Sequence, residues 1–407
     1  MQANIIIDSK KYRFQAMMKT DMSKKKVVFA AIKAGGGHMR PAEVICEALA
    51  SLFPGKYDLS LLDFMKDLDC SALDSHHKRS WQFLLSHPRL TKLLQHLSSA
   101  AGPLTRGLLR LYVTPFFACL KRYLETEKPD LIVSTHFLNT LAVSHVRRRW
   151  GLEVGLINFL TEIFDCNAYW FIKNVDHYLV SSQQVEAEMA GRGFPTEKLH
   201  RVAYPVTEAS PPSPEKKAAL RRLSGIAADR QTMLVSYGSE GIGPLENLLA
   251  YLSGLNLPLN IIVICGHNHH LQQRLSKRFS DAREATRIIP LGFIDYIREL
   301  ICSVDFCYIK PGPATTWEVM TCRKPILFTR SAQISEEKVL RYVCSLGVAR
   351  YGGVRPREIA RQIEQMMQPS FQDACRSCYD GLSLPAGGED IARFIDRFLS
   401  GSGSTAV

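Results

Sequence analysis

Two glycine-rich turns, each set between a short apolar run and a segment of helical periodicity, restrict this chain to a narrow range of folds. The first follows Val27 to Ile32 and reads Ala34-Gly35-Gly36-Gly37-His38. From Pro41 onward, Val44, Ile45, Ala48, Leu49 and Leu52 then recur at helical spacing. The second turn, Tyr237-Gly238-Ser239-Glu240-Gly241-Ile242-Gly243, ends an apolar run that starts at Thr232. In the first half, Leu59 to Leu62, Leu131 to Ser134, Val154 to Phe159 and His177 to Val180 read as strands separated by helix-length segments. Beyond the second turn, Leu259 to Cys265, Arg287 to Pro290, Phe306 to Ile309 and Pro325 to Phe328 repeat that alternation, the signature of parallel α/β sheets. Pro211, Pro212 and Pro214, within Thr207 to Lys217, suit a linker. The expected organisation is a tail at 1–23, α/β domains at 24–207 and 208–385, a C-terminal helix at 386–400 and a tail at 401–407.

Length and composition agree with two folded domains. The 407 residues are 46% hydrophobic and 22% charged, which excludes disorder or coiled coil for the whole chain. No run reaches the roughly 18 to 20 apolar residues of a membrane span, and Lys10, Lys11 and Arg13 interrupt any secretory leader, so a cytoplasmic location is expected. Lys and Arg number 51 against 39 Asp and Glu, which favours anionic partners. Recognised nucleic-acid modules are missing, so nucleic acid is not expected among them. Eleven cysteines in mostly apolar contexts suggest reduced thiols, and Cys375 and Cys378 form one CxxC without a second pair at zinc-like spacing, a plain helical surface feature.

Residues 79–124 stand apart. Phe83, Leu90, Leu93, Leu94, Leu97, Leu104, Leu108 and Leu111 alternate there with Arg89, Lys92, Arg106 and Arg110, as in helices that lie on an anionic bilayer or pack on a core. Gly36 and Gly37 leave backbone N–H groups free to face an anion at a helix start, and His38 can serve there as a base; a tight turn carrying an incidental histidine is the plainer alternative. Gly238 and Ser239 occupy the equivalent place in the second half. The run Lys310-Pro311-Gly312-Pro313-Ala314-Thr315-Thr316-Trp317-Glu318 ends a strand and opens a helix, where Gly312, Thr315 and Thr316 are candidates for a diphosphate and Glu318 for a ribose diol. His267, His269 and His270 lack carboxylate context for a metal site and read as loop polarity. Arg147 to Arg149 read as a solvated helix end.

The run KPGPATTWEVMTCRKPILF resembles the donor-nucleotide motif of glycosyltransferase family 28, and AGGGHMRPAEVICEAL is similar to that family's N-terminal glycine loop. Thr161 to Phe171, Asp176 to Ser181, Val202 to Val206, Gly238-Ser239, Ile264 to Asn268 and Leu291 to Ile294 are similar to further family segments and follow in family order. The likeness is closest to the diacylglycerol glycosyltransferases. It implies a GT-B fold, two Rossmann-like domains facing across an interdomain cleft, and an inverting transferase that uses a UDP-sugar and no metal or other cofactor. By that resemblance Phe293 and Ile294 meet the uracil, with Gly266 nearby, and Glu318 meets the ribose. Gly312, Thr315, Thr316, Gly238 and Ser239 meet the diphosphate, Gln333 meets the sugar, and His38 deprotonates the acceptor.

The same comparison shows departures. Thr161-Glu162 stands where the family has Thr-Asp, Asn167 replaces a usual His, and Ser331-Ala332-Gln333-Ile334-Ser335-Glu336-Glu337 keeps only the Gln of the sugar-binding segment. Glu162 and Asp165 are the acids expected beside the acceptor, and the donor sugar is left open. The leading expectation is a hexosyltransferase acting on a lipid hydroxyl, diacylglycerol-like, peripheral on the inner face of the cell membrane. A soluble acceptor and a non-catalytic nucleotide-sugar binder are the alternatives.

Overall fold

The computed structural model describes residues 24–33, 36–164, 167–207, 213–215, 218, 226, 229–237, 245–279 and 285–401. Strands β1 (Lys25–Ala31), β2 (Tyr57–Asp63), β3 (Leu131–Ser134), β4 (Gly155–Phe159), β5 (His177–Val180) and β6 (Leu199–Arg201) form one all-parallel sheet in the order β2-β1-β3-β4-β5-β6. Strands β7 (Gln231–Ser236), β8 (Leu259–Ile264), β9 (Thr286–Leu291), β10 (Phe306–Ile309), β11 (Ile326–Phe328) and β12 (Ala349–Tyr351) form a second, in the order β12-β11-β10-β7-β8-β9. Val27 to Ala31 and Leu259 to Val263 are buried on both faces. Such continuous apolar strands require helices on both sides of the sheet.

In the first unit those helices are α1 (Met39–Leu52), α2 (Phe64–Asp67), α3 (Ser71–Ser86), α4 (Pro88–Ala100), α5 (Gly102–Tyr112), α6 (Thr114–Glu127), α7 (Phe137–Trp150) and α8 (Gln183–Gly191). In the second they are α9 (Leu245–Gly254), α10 (His269–Arg278), α11 (Ile297–Ser303), α12 (Pro313–Thr321), α13 (Ile334–Ser345), α14 (Pro356–Met366) and α15 (Pro369–Asp380), after which the chain runs into α16 (Gly388–Leu399). Two expectations change here. Strands β6 and β12 are additional edge strands of three residues each. The CxxC of α15 is not a surface feature, because Cys375 is buried in the second core against Val348 and Tyr379.

The C-terminal helix α16 returns to the first unit. Ile391, Ala392, Ile395 and Leu399 join Ala42, Ile45 and Leu49 of α1 in one core, and Asp396 binds Lys56 and Tyr57. Close backbone approach makes this possible. A Cβ on Gly387 would lie 1.8 Å from the Ala203 carbonyl oxygen, with backbone on both sides of the contact. Gly387→Ala is therefore expected to cost about 2 to 3 kcal/mol in urea denaturation, an overpacking penalty that flexible side chains cannot relieve. A change below about 0.5 kcal/mol would show that the segment 386–388 shifts freely.

The strand orders fix where a ligand goes. In an open parallel sheet the crevice lies at the carboxyl ends of the two strands where the order reverses. These are β1 and β3 in the first sheet, β7 and β10 in the second. The two crevices face each other. Arg40 of α1 reaches Glu318 of α12 at 3.2 Å, and Phe164 packs on Trp317 and Tyr342 of the other unit.

Candidate active site

His38 ends the loop after β1 and is the N-cap residue of α1. Its Nδ1 lies 2.7 Å from the Thr135 carbonyl oxygen, just past β3, and 3.1 Å from Thr161 Oγ1 after β4. Thr135 Oγ1 in turn donates to the His38 carbonyl at 2.8 Å. A carbonyl accepts only, so Nδ1 carries the proton and Nε2 is left as the basic atom. The ring is hemmed in by His136 at 4.4 Å between centroids and Trp170 at 6.1 Å. Although solvent reaches part of the residue, burial of the ring lowers its pKa to about 4, only partly offset by the Thr135 hydrogen bond. At neutral pH His38 is an uncharged acceptor of protons.

His136 caps α7 by accepting from Leu138 N–H at 3.2 Å, and it stacks on Phe137. His77 of α3 stands edge-on to it at 5.6 Å, and burial draws the pKa of His77 to about 4 as well. Thr135, His136 and His77 carry no glycine signature and were not among the sequence candidates. Only the β3 strand end pointed to the first two.

On the facing side, Gly312 is the N-cap of α12 and Pro313 its N1 residue, a pairing that leaves the first-turn N–H groups open to an anion. Thr315 is partly exposed. Thr316 corrects the sequence expectation: it is wholly buried, its hydroxyl without a partner among the described residues, so it does not offer that hydroxyl to the cleft. Consecutive helical residues point about 100° apart, so two neighbouring threonines can face different surroundings, as Thr315 and Thr316 do here. Glu318 is engaged by Arg40, which also holds Glu43 at 3.2 Å and Thr207 at 3.1 Å. Arg40 lies two residues past His38, but nothing in the sequence pairs it with a glutamate 278 residues away.

Glu162 is half-buried beyond Thr161, and its charge and that of Glu318 both reinforce the effect of burial in raising the pKa of Tyr204. The side chain within hydrogen-bond distance of His38 Nδ1 is that of Thr161, the residue before Glu162. Phe293 is exposed and stacks on His267 at 4.6 Å with an interplanar angle of 8°, next to the buried Gly266, whose φ of +57° favours glycine. Ile294 packs against the second core. Gln333 is the N-cap of α13 and accepts from Gln95. A Cβ on Gly36 or Gly37 would meet nothing within 4 Å, so the space before α1 is open. Asp165, Gly238 and Ser239 lie outside the described residues.

Two parallel Rossmann-like sheets, facing each other with their switch points across one cleft, define a GT-B architecture. Acinetobacter baumannii MurG is similar to it with a TM-score of 0.57 at 14% identity, over 92% of this chain and 99% of that one. Staphylococcus aureus MnaA, solved with UDP, is similar with a TM-score of 0.56 at 13% identity, over 93% and 97%. At those identities the likeness is one of fold.

The sequence comparisons narrow the class, and the chain resembles glycosyltransferase family 28 as its motifs implied. Residues 38–206 match the model of the monogalactosyldiacylglycerol (MGDG) synthase family. Monogalactosyldiacylglycerol synthase 1 of Arabidopsis thaliana is 25% identical over 366 residues, 86% of this chain and 66% of that protein. The processive diacylglycerol beta-glucosyltransferase of Bacillus cytotoxicus is 24% identical over 342 residues, 80% of this chain and 81% of that protein. The chain thus spans about two thirds of the length of the plant relative.

Proposed function

We propose that this protein is an inverting glycosyltransferase that moves a hexose from a UDP-sugar to a lipid hydroxyl, diacylglycerol-like, at a membrane surface. The observation that carries it is His38, a neutral imidazole with Nδ1 held by Thr135 at one switch point and the α12 N-terminus across the cleft. The acceptor hydroxyl gives its proton to Nε2 as its oxygen bonds to the anomeric carbon. The bond from that carbon to the diphosphate oxygen breaks, and its electron pair leaves with UDP. Attack from the face opposite UDP inverts the centre. First-turn N–H groups of α12 stabilise the departing diphosphate, a role that dispenses with a metal.

Gly36, Gly37, Gly238, Ser239, Gly312 and Thr315 are assigned to the diphosphate, Phe293, Ile294 and Gly266 to the uracil side, Glu318 to the ribose and Gln333 to the sugar. Glu162 and Asp165 are assigned to the acceptor side. The names of the relatives, diacylglycerol glycosyltransferases from a plant and a bacterium, support a lipid acceptor. No helix of the described residues is long and apolar enough to cross a membrane. The exposed leucines of α4 and α5 support peripheral attachment to a membrane, and the location proposed for it is the inner face of the cell membrane.

UDP release against a panel of UDP-sugars, with and without diacylglycerol in anionic liposomes, tests the reading. Lipid-dependent release with one sugar is expected. UDP binding without release from any sugar would replace transfer by a non-catalytic nucleotide-sugar binder. Glu318→Ala should weaken UDP binding by roughly tenfold or more in calorimetry, because it removes a charge-assisted hydrogen bond to the ribose. Equal affinity would take Glu318 out of the ribose site and leave it as the partner of Arg40.

A further inference from the structure

Helix α4 is inside out. Thr91 and Gln95 are its buried residues, whereas Leu90, Leu93, Leu94 and Leu97 face solvent. A helix that buries an amide and exposes leucines gives up apolar burial, so its inner polar groups must each find a partner. Thr91 Oγ1 donates to the Leu84 and His87 carbonyls of its own unit, whereas Gln95 finds its partners in the other domain. Gln95 Oε1 accepts the Ile334 N–H at 3.0 Å, and Gln95 Nε2 donates to Gln333 Oε1 at 3.3 Å. One turn earlier, Lys92 Nζ donates to Ser331 Oγ at 3.2 Å and pairs with Glu337 at 3.0 Å.

The Ile334 N–H is among the first-turn donors that a helix cannot satisfy internally. Gln333 is the N-cap of α13, yet its side chain makes no capping bond. Gln95 supplies the missing acceptor from across the domain boundary. On the opposite side, the nearly buried Glu336 accepts from Ala332 N–H at 2.6 Å and pairs with Lys310 at 3.2 Å, at the end of β10. Residues 331–337 are thus fixed between the strand that carries the Gly312 turn and a helix of the other unit. Their position depends on both domains being in place.

We infer that Lys92 and Gln95 are positioning residues for the sugar part of the donor site, acting through the 331–337 loop and Gln333. This rests on the donor assignment proposed above. Neither residue needs to touch the donor. A sugar reader that is capped from the other unit is assembled only when the cleft is closed, so donor-sugar recognition becomes a property of the two-domain arrangement.

Gln95→Leu removes both hydrogen bonds at similar volume, and Lys92→Ala removes the ion pair. Calorimetric affinities for UDP and for the preferred UDP-sugar, measured on the full chain beside thermal unfolding, separate the roles. UDP affinity should stay within about twofold in both variants while UDP-sugar affinity falls by roughly tenfold in Gln95→Leu. Preference among UDP-sugars should narrow, and Lys92→Arg should restore most of the Lys92→Ala loss. Unchanged UDP-sugar affinity in Gln95→Leu overturns the inference, as does an equal loss for UDP and UDP-sugar, which is what a merely structural contact would produce. If the wild-type protein binds a UDP-sugar but transfers nothing, the transfer reading fails and these affinities still decide the loop's role. If it binds no UDP-sugar, both fall together.

Discussion

Replacing His38 with alanine is expected to lower turnover by roughly a hundredfold or more while leaving UDP affinity within about twofold. The split follows from geometry. His38 sits on the β1–β3 side with Nδ1 committed to Thr135, while the groups assigned to UDP belong largely to the opposite unit. Loss of the ring therefore removes proton transfer and little of the donor's binding. The pH profile adds a second reading. Burial holds His38 at about 4, so the neutral, competent form persists well below the pH at which a free histidine protonates. The acid limb of kcat/KM should therefore fall as pH drops through about 4, not through 6.5, and it should vanish in His38→Ala. Full turnover in that variant would move the base elsewhere, with Glu162 the next residue to replace.

The parts legible in the sequence were those written in local chemistry. The β1 run, its glycine turn and the α1 periodicity lie within 26 residues, and the Gly312 segment carries its own Pro and Gly signals. Strands β6 and β12 escaped because three-residue edge strands such as Leu199-His200-Arg201 and Ala349-Arg350-Tyr351 hold no apolar run. Periodicity recognised amphipathic helices in residues 79–124, but it could not say which face turns inward. In α4 the polar one does. Thr316 failed for a simpler reason, since adjacency along a helix is not adjacency in space. Thr135, Arg40 and Gln95 became visible only when strand order brought separate segments together, because each acts through a partner roughly a hundred or more residues away.

The same inverted packing carries the second large prediction. Leu93, Leu97, Leu104 and Leu108 are each more than half exposed on α4 and α5, with Arg89 shortly before them in sequence and Arg106 between the last two. In water this surface is unfavourable, whereas at an anionic bilayer the leucines leave water and the cations gain from the surface potential, about 1 kcal/mol each. Half-exposed leucines yield about 1 kcal/mol apiece on insertion, so replacing all four with serine should weaken co-sedimentation with anionic vesicles by a hundredfold or more. The substitutions lie outside the core, so the variant should keep its thermal stability and its UDP affinity. Turnover with diacylglycerol in vesicles should collapse while turnover with a short-chain, water-soluble diacylglycerol survives, which separates docking from chemistry. Vesicle binding that resists the four serines but disappears in high salt would leave attachment to the cations alone, and binding unaffected by either would remove these helices from the membrane contact.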